Sequence, residues 1–491
     1  MQSAAVSAGE QAALETAPQL LLIGGEWRAS ASGETLTVED PATGAALCQV
    51  PDATPGDARA ALDAAAAAQA AWSGHPPRER GEILRRAFEL VMARTESLAL
   101  LMTLEMGKPL AESRAEVAYA AEFLRWFSEE AVRIDGGYAV APNGRGRMVL
   151  MRQPVGPCLL ITPWNFPMAM GARKIGPAVA AGCTMVVKPA QQTPLSMLAL
   201  ARILEEAGLP PGVLNVITAS RAAAVATPLL ADPRLRKLSF TGSTEVGRHL
   251  LAQAAERVLR TSMELGGNAP FIVFDDADVE AAVDGAMIAK MRNMGEACTA
   301  ANRFHVAAGV ADEFATRLAK RMGELRVGRG TEADVDVGPL IDAPARSKVA
   351  ELVDEARSRG ARVLVGGVQT DGPGYFYPPT VLDRVSPDVR AFREEIFGPV
   401  APVAGFTSEE AALAAANDSQ HGLVAYVYTR DLGRAIRFCE RLESGMVGLN
   451  QGLVSNPAAP FGGIKQSGLG REGGREGILE YLNTKYVAVA T

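Results

Sequence analysis

Among the five cysteines of this 491-residue chain, Cys298 stands in surroundings unlike the others. It follows Gly295-Glu296-Ala297 and precedes Thr299-Ala300, small residues that let another molecule approach a thiol. Cys158 and Cys183 fall in apolar runs and Cys439 in a helical pattern, where an inert buried thiol is the ordinary outcome. A thiolate at 298 would be a nucleophile, and the competing reading is a structural thiol. Glu264, in Met263-Glu264-Leu265-Gly266-Gly267-Asn268, ends a predicted strand beside paired glycines and is either a general base or a solvated strand-end carboxylate. Asn165, in Pro163-Trp164-Asn165-Phe166-Pro167, either caps the helix that follows or donates its amide to a developing oxyanion.

Anion binding has one good candidate and one decoy. In Phe240-Thr241-Gly242-Ser243-Thr244-Glu245-Val246-Gly247 a strand ends in a Gly-Ser turn and opens into a helix, whose free N–H groups and dipole face any anion above them. A literal G-x-G-x-x-G at Gly468, Gly470 and Gly473 lacks the preceding strand that a dinucleotide fingerprint needs and reads as a turn cluster. His75, His249, His305 and His421 are far apart, and no metal-ligand spacing is present, so no metal is expected. The 49 basic and 56 acidic residues give −7 without a basic block, which argues against a nucleic acid partner. Cysteines without a disulfide framework, no leader pattern and no run near the roughly 20 apolar residues that span a bilayer point to a cytoplasmic protein with no membrane partner.

The elements that must position these residues read as α/β. Residues 1–18 look like a loose arm, and helices are expected over Asp57–Trp72, Arg80–Met92 and Ser97–Met106. Met148–Ile161 reads as strand, Ala169–Ala181 as helix and Gly182–Val187 as strand, and the alternation continues to Thr261–Leu265. A second βα series begins at Ala269. The expected fold is therefore two successive Rossmann-like parallel α/β domains with a small β oligomerisation arm. The boundaries expected are 1–135 with 152–265 for a discontinuous dinucleotide-binding domain, 266–455 for a catalytic domain, and 136–151 with 456–491 for bridging segments. Gly136–Met151 and the tail Gly477–Val489 read as strand-forming arms suited to pairing with another subunit.

The motifs Ile161–Pro167, Lys188-Pro189-Ala190, Phe240–Gly247, Glu264–Asn268, Gly295–Cys298, Glu395-Ile396-Phe397-Gly398-Pro399 and Pro460–Gly463 occur in the order in which the aldehyde dehydrogenase superfamily carries them, and the chain resembles that family over residues 20–490. The resemblance implies Cys298 as nucleophile, Asn165 as oxyanion donor and Glu264 as the base that activates water against a thioester. It also implies cofactor contacts from Trp164, Lys188, Gln191, Gly242, Ser243, Leu265, Glu395 and Phe397. The glutamate argues against the branch that transfers the acyl group to coenzyme A.

Within the superfamily, Pro177–Met185, Asn268–Asp276 and Lys465–Gly473 most resemble the succinate-semialdehyde dehydrogenases. Arg173, Arg292 and Ser455 match the positions that hold a distal carboxylate there, so the implied substrate is an ω-carboxy aldehyde. The alternatives are glutarate semialdehyde, a broad aliphatic aldehyde, or a non-catalytic scaffold of the same fold. Gln191 stands where NAD-preferring relatives often carry a glutamate, and a neutral side chain does not repel a 2′-phosphate. The cofactor is thus NADP or NAD, leaning to NADP or dual use. Glu296 replaces the usual glutamine; an ionised carboxylate close to the thiol would raise the pKa of Cys298, whereas a side chain turned outward or ion-paired would have little effect. A homodimer or homotetramer is expected.

Overall fold

The computed structural model describes residues 7–370 and 372–490. The first of its two large sheets runs in the order Glu26–Arg28, Leu21–Ile23, Leu214–Val216, Met185–Lys188, Cys158–Ile161, Lys237–Thr241, Arg260–Glu264 and Gly468–Leu469. The five strands from Leu214–Val216 to Arg260–Glu264 are parallel and are bracketed by antiparallel partners. They are largely buried because helices cover both faces. Helices Pro77–Ala93, Leu110–Glu130 and Ala169–Ala181 pack on one side, and Pro55–Ser73, Ala222–Ala231 and Thr244–Ala255 on the other. The strand earliest in the parallel set, Cys158–Ile161, lies in its middle, so the order reverses between it and Lys237–Thr241. Loops leaving two such strands diverge and open a crevice at the carboxyl ends, the place where open α/β sheets bind ligands.

The second sheet runs Arg362–Val365, Thr380–Asp383, Val400–Phe406, Ala301–Ala307, Ala269–Val273, Val424–Tyr428 and Met446–Leu449, parallel apart from its first strand. Only Leu265–Asn268 separates Glu264 at the end of the first sheet from Ala269 at the start of the second. Ala269 pairs with Ala301, which follows Cys298 closely. The topology alone therefore brings the carboxylate and the thiol to one place.

Three expectations change. The run Met148–Ile161 is not one strand: Arg147–Pro154 joins a separate antiparallel sheet with Gly137–Val140 and Leu482–Val489, and Cys158–Ile161 joins the core. The break falls at Pro154-Val155-Gly156-Pro157, where prolines lack ladder donors and Gly156 has φ +117°. The 1–18 segment is not all loose. Ala8–Leu14 is a helix with a Ser7/Glu10 capping box, and its Ala13 and Leu14 are buried. The tail opens with a helix, Gly474–Leu479, before its strand Leu482–Val489. Helix Leu110–Glu130 had no counterpart in the sequence reading, nor did the hairpin Thr35–Asp40 with Ala45–Pro51.

Candidate active site

Cys298 opens onto a cavity of about 270 Å³ at the strand-order reversal, with Glu264, Asn165 and Trp164 in its wall. Gly242, Ser243, Leu265, Glu395 and Phe397 line the same cavity. The loop that aims the thiol is strained: Asn293, Met294 and Gly295 all have positive φ, at 53°, 56° and 79°. Gly295 is required there, since a Cβ would lie 2.2 Å from the Gly398 carbonyl oxygen. Gly267 plays the same part under the nucleophile, where a Cβ would lie 2.3 Å from the Cys298 carbonyl oxygen. Burial pushes the Cys298 thiol up to about 12, with Arg173 and Arg292 opposing and Glu264 and Glu395 reinforcing the rise. The resting group is thus a neutral thiol whose proton must be removed for attack.

Glu264 is 2% exposed, and neither carboxylate oxygen has a hydrogen-bond partner in the protein. Burial holds its carboxyl well above the usual range, and the nearby Glu472 adds to the rise against Arg173, Lys174 and Arg471. Glu472 is a site residue that the sequence reading missed. Its carboxylate pairs with Arg173 Nε at 2.6 Å and with the Lys174 ammonium, and Lys174 donates to the Ser239 hydroxyl at 3.0 Å. Burial alone would raise Glu472, but Lys174 and Arg173 hold it below its ordinary value. In the literal glycine motif, Gly468 joins the sheet edge beside Glu264, and a Cβ on it would lie 1.9 Å from the Met263 carbonyl oxygen.

On the cofactor side, strand Lys237–Thr241 turns at Gly242 into helix Thr244–Ala255, and the Ser243 hydroxyl accepts the Val246 N–H at 3.3 Å. Free N–H groups at that helix start suit a pyrophosphate. Glu395 Oε1 accepts the Gly267 N–H at 2.9 Å, and burial pushes its carboxyl up to about 7. Trp164 and Phe397 meet edge to face at 5.3 Å. Lys188 and Gln191 do not line this cavity. Lys188 is buried at the end of its strand, donates to the Pro189 carbonyl at 3.0 Å and is drawn down to about 8 by burial. Gln191 is exposed and faces a neighbouring cleft with Gln192 and Ser220, which Glu39 and Asp342 also line. These groups fit an extended dinucleotide, with hydroxyl and amide donors beyond Lys188.

Arg292 and Ser455 form a pair, and neither they nor Arg173 line the Cys298 cavity. Arg292 Nη1 donates to the Ser455 hydroxyl at 3.4 Å, and its guanidinium lies 4.8 Å from the Phe166 ring and 5.5 Å from the Tyr119 ring. Arg173 lies 4.2 Å over the Phe461 ring, buried, with Nη2 left without a partner. Tyr119 is a further neighbour that no motif marked, whereas Phe461 belongs to the Pro460–Gly463 motif.

Of the two outcomes open for Glu296, the structure favours the one without effect on the thiol. Its side chain turns away from the thiol, and Oε1 accepts the Ile341 N–H at 3.2 Å. Burial raises its carboxyl well above the usual range, and the charges acting on Cys298 come from other groups. A carboxyl whose folded pKa lies above its unfolded value stabilises the fold below the unfolded value, and that contribution is lost as pH rises through the folded one. Glu296→Gln should therefore gain stability over wild type as pH is raised above about 4.5. Its profile of Cys298 alkylation against pH should superimpose on that of the wild type. Thermal melts across pH check the first result and iodoacetamide labelling the second.

The aldehyde dehydrogenase family matches residues 27–487, and the chain belongs to that family. It is 60% identical over 444 residues to the succinate-semialdehyde dehydrogenase of Paenarthrobacter nicotinovorans, covering 90% of this chain and 99% of that one. It is 50% identical over 471 residues to the glutarate-semialdehyde dehydrogenase of Pseudomonas aeruginosa, covering 96% of this chain and 97% of the other. The crystal structure of an NADP-dependent enzyme of Escherichia coli superposes with a TM-score of 0.96 at 50% identity, over 97% of this chain and 99% of that one. No helix among the described residues is long and apolar enough to cross a membrane.

Proposed function

We propose that the chain oxidises an ω-carboxy aldehyde, succinate semialdehyde in first place, to the corresponding acid with NADP or NAD. The observation that carries this reading is the Arg292–Ser455 pair, whose guanidinium acts on Cys298 together with that of Arg173, the latter already ion-paired to Glu472. A guanidinium with a hydroxyl beside it near the nucleophile suits a carboxylate better than an alkyl chain. The Cys298 sulfur, once deprotonated, adds to the aldehyde carbon and gives a thiohemiacetal, and Asn165 supports the charge on oxygen. A nicotinamide cofactor, when bound, takes up the hydride that leaves this carbon. The resulting thioester is hydrolysed by water that Glu264 deprotonates, which returns Cys298 and releases the acid. Trp164, Gly242, Ser243, Leu265, Glu395 and Phe397 would hold the nicotinamide half and pyrophosphate, and Lys188 with Gln191 the adenosine ribose. The neutral Gln191 favours NADP or dual use, in line with the NADP-dependent relative of known structure.

The glutarate-semialdehyde dehydrogenase among the relatives makes the substrate one methylene longer the second reading. Catalytic efficiencies for both semialdehydes and for uncharged aldehydes, with each cofactor, decide between them. Arg292→Ala is expected to cost about 2 kcal/mol, roughly 30-fold, in kcat/KM for the carboxylated substrate and much less for an uncharged aldehyde. Equal losses on both would make Arg292 structural. The exposed Tyr138, Val140, Leu150, Met151 and Tyr486 of the arm sheet support pairing with a second copy of the chain as dimer or tetramer. All five cysteines are free thiols, which supports a cytoplasmic location.

A further inference from the structure

Behind Asn165 lies a buried pair that no step above uses. Lys108 and Glu116 are both fully inside the protein, and their ammonium and carboxylate meet at 2.6 Å. Helix Thr95–Met106 ends at Gly107, whose φ of 92° favours glycine. Gly330 and Gly338 press on this turn so closely that a Cβ on the first would lie 2.5 Å from the Lys108 carbonyl oxygen, and one on the second 2.1 Å from that of Gly107. The backbone of Lys108 is thereby fixed, and Glu116 comes from helix Leu110–Glu130.

Each partner directs its remaining bonds to the segment that carries the oxyanion donor. Lys108 Nζ donates to the Asn165 carbonyl at 2.7 Å, and Glu116 Oε1 accepts the N–H groups of Met168 and Ala169 at 3.0 and 3.1 Å. Asn293 clamps the other side, its Nδ2 donating to the carbonyls of Asn165 at 3.1 Å and Glu296 at 2.9 Å. Asn165 Nδ2 itself donates to the Glu296 carbonyl at 3.0 Å, which commits one amide hydrogen and leaves the other. A buried ion pair adds little net stability, because desolvating two charges offsets their attraction. What it provides is direction, since a charge-assisted bond to a carbonyl is short and oriented. An oxyanion donor placed an ångström away loses most of its effect.

We infer that Lys108 and Glu116 are positioning residues that hold Asn165 against the nucleophile loop, so that its free Nδ2 hydrogen faces the oxygen of an aldehyde carbon bonded to Cys298. This rests on the reading of Asn165 as oxyanion donor. The double variant Lys108→Met/Glu116→Gln removes both charges and keeps an amide oxygen for Met168 and Ala169, so no buried charge is stranded. Its pre-steady-state burst of reduced cofactor is expected to slow by about 10- to 100-fold, with KM for the aldehyde within about 3-fold. Alkylation of Cys298 by iodoacetamide should keep its wild-type rate. Asn293→Gly keeps the left-handed backbone, removes the other donor and should slow the burst in the same sense, which keeps the inference testable if the double variant does not fold. Asn165→Ala separates the two ideas: a wild-type burst in that variant overturns the oxyanion reading itself. A slow burst in Asn165→Ala beside wild-type bursts in the others overturns the positioning role alone. Parallel loss of alkylation in the double variant also overturns it, because a collapsed site would lose thiol reactivity as well.

Discussion

Cys298→Ala is expected to lower steady-state aldehyde oxidation by more than roughly 10⁴-fold, because no other group in the site can form and release a thioester. The substitution is small and sits between Ala297 and Ala300 in a loop anchored by Gly267 and Gly295, so the fold should tolerate it. Its melting temperature should stay close to that of the wild type, which separates loss of chemistry from loss of structure. The other buried thiols offer no substitute. Cys158 and Cys183 lie inside the first sheet's core, with the Cys158 thiol 3.2 Å from the Gly156 carbonyl oxygen and that of Cys183 3.4 Å from the Tyr481 carbonyl oxygen. Turnover by Cys298→Ala within about 100-fold of wild type would remove Cys298 as nucleophile.

The parts of the site that could be read from the sequence are those carried by strand ends. Gly242 and Ser243 lie at a strand-to-helix turn and Glu264 at a strand end beside paired glycines, as the sequence pattern predicts. Ala169–Ala181 and Lys237–Thr241 have the very bounds expected, since the apolar period in each is uninterrupted and ends in a turn. Contacts made across hundreds of residues left no local trace. Glu472 lies within a glycine cluster that reads as a turn, and only folding of the tail against the first sheet brings it to Arg173 and Lys174. Glu296 shows the same limit from the other direction. Proximity in sequence to Cys298 suggested repulsion, but the side chain takes the Ile341 N–H and leaves only its backbone carbonyl toward Asn165. No sequence motif marks Lys108 or Glu116, whose burial as a pair depends on the turn at Gly107.

Glu264→Gln should split the reaction into its halves. The thioester is made by sulfur addition and hydride loss, and Glu264 is needed for the water attack that follows, so a burst of reduced cofactor should survive while steady-state turnover falls by roughly 10²- to 10⁴-fold. The pH dependence adds a second criterion. A carboxylate is a base only when ionised, and burial together with Glu472 holds Glu264 well above the ordinary carboxylate range, so its active fraction grows as pH rises from that range upward. Wild-type kcat should therefore carry a rising limb displaced above the usual carboxylate pKa, provided hydrolysis of the thioester limits the rate. Glutamine cannot ionise, so the residual turnover of Glu264→Gln should lose that limb while Cys298 still titrates far higher, toward about 12. Stopped-flow absorbance of the reduced cofactor, followed from pH 6 to 9, measures both quantities in one series. Undiminished steady-state turnover would dismiss Glu264 as the base. Loss of the burst together with turnover would move its role forward, to removing the thiol proton that the buried Cys298 holds so tightly.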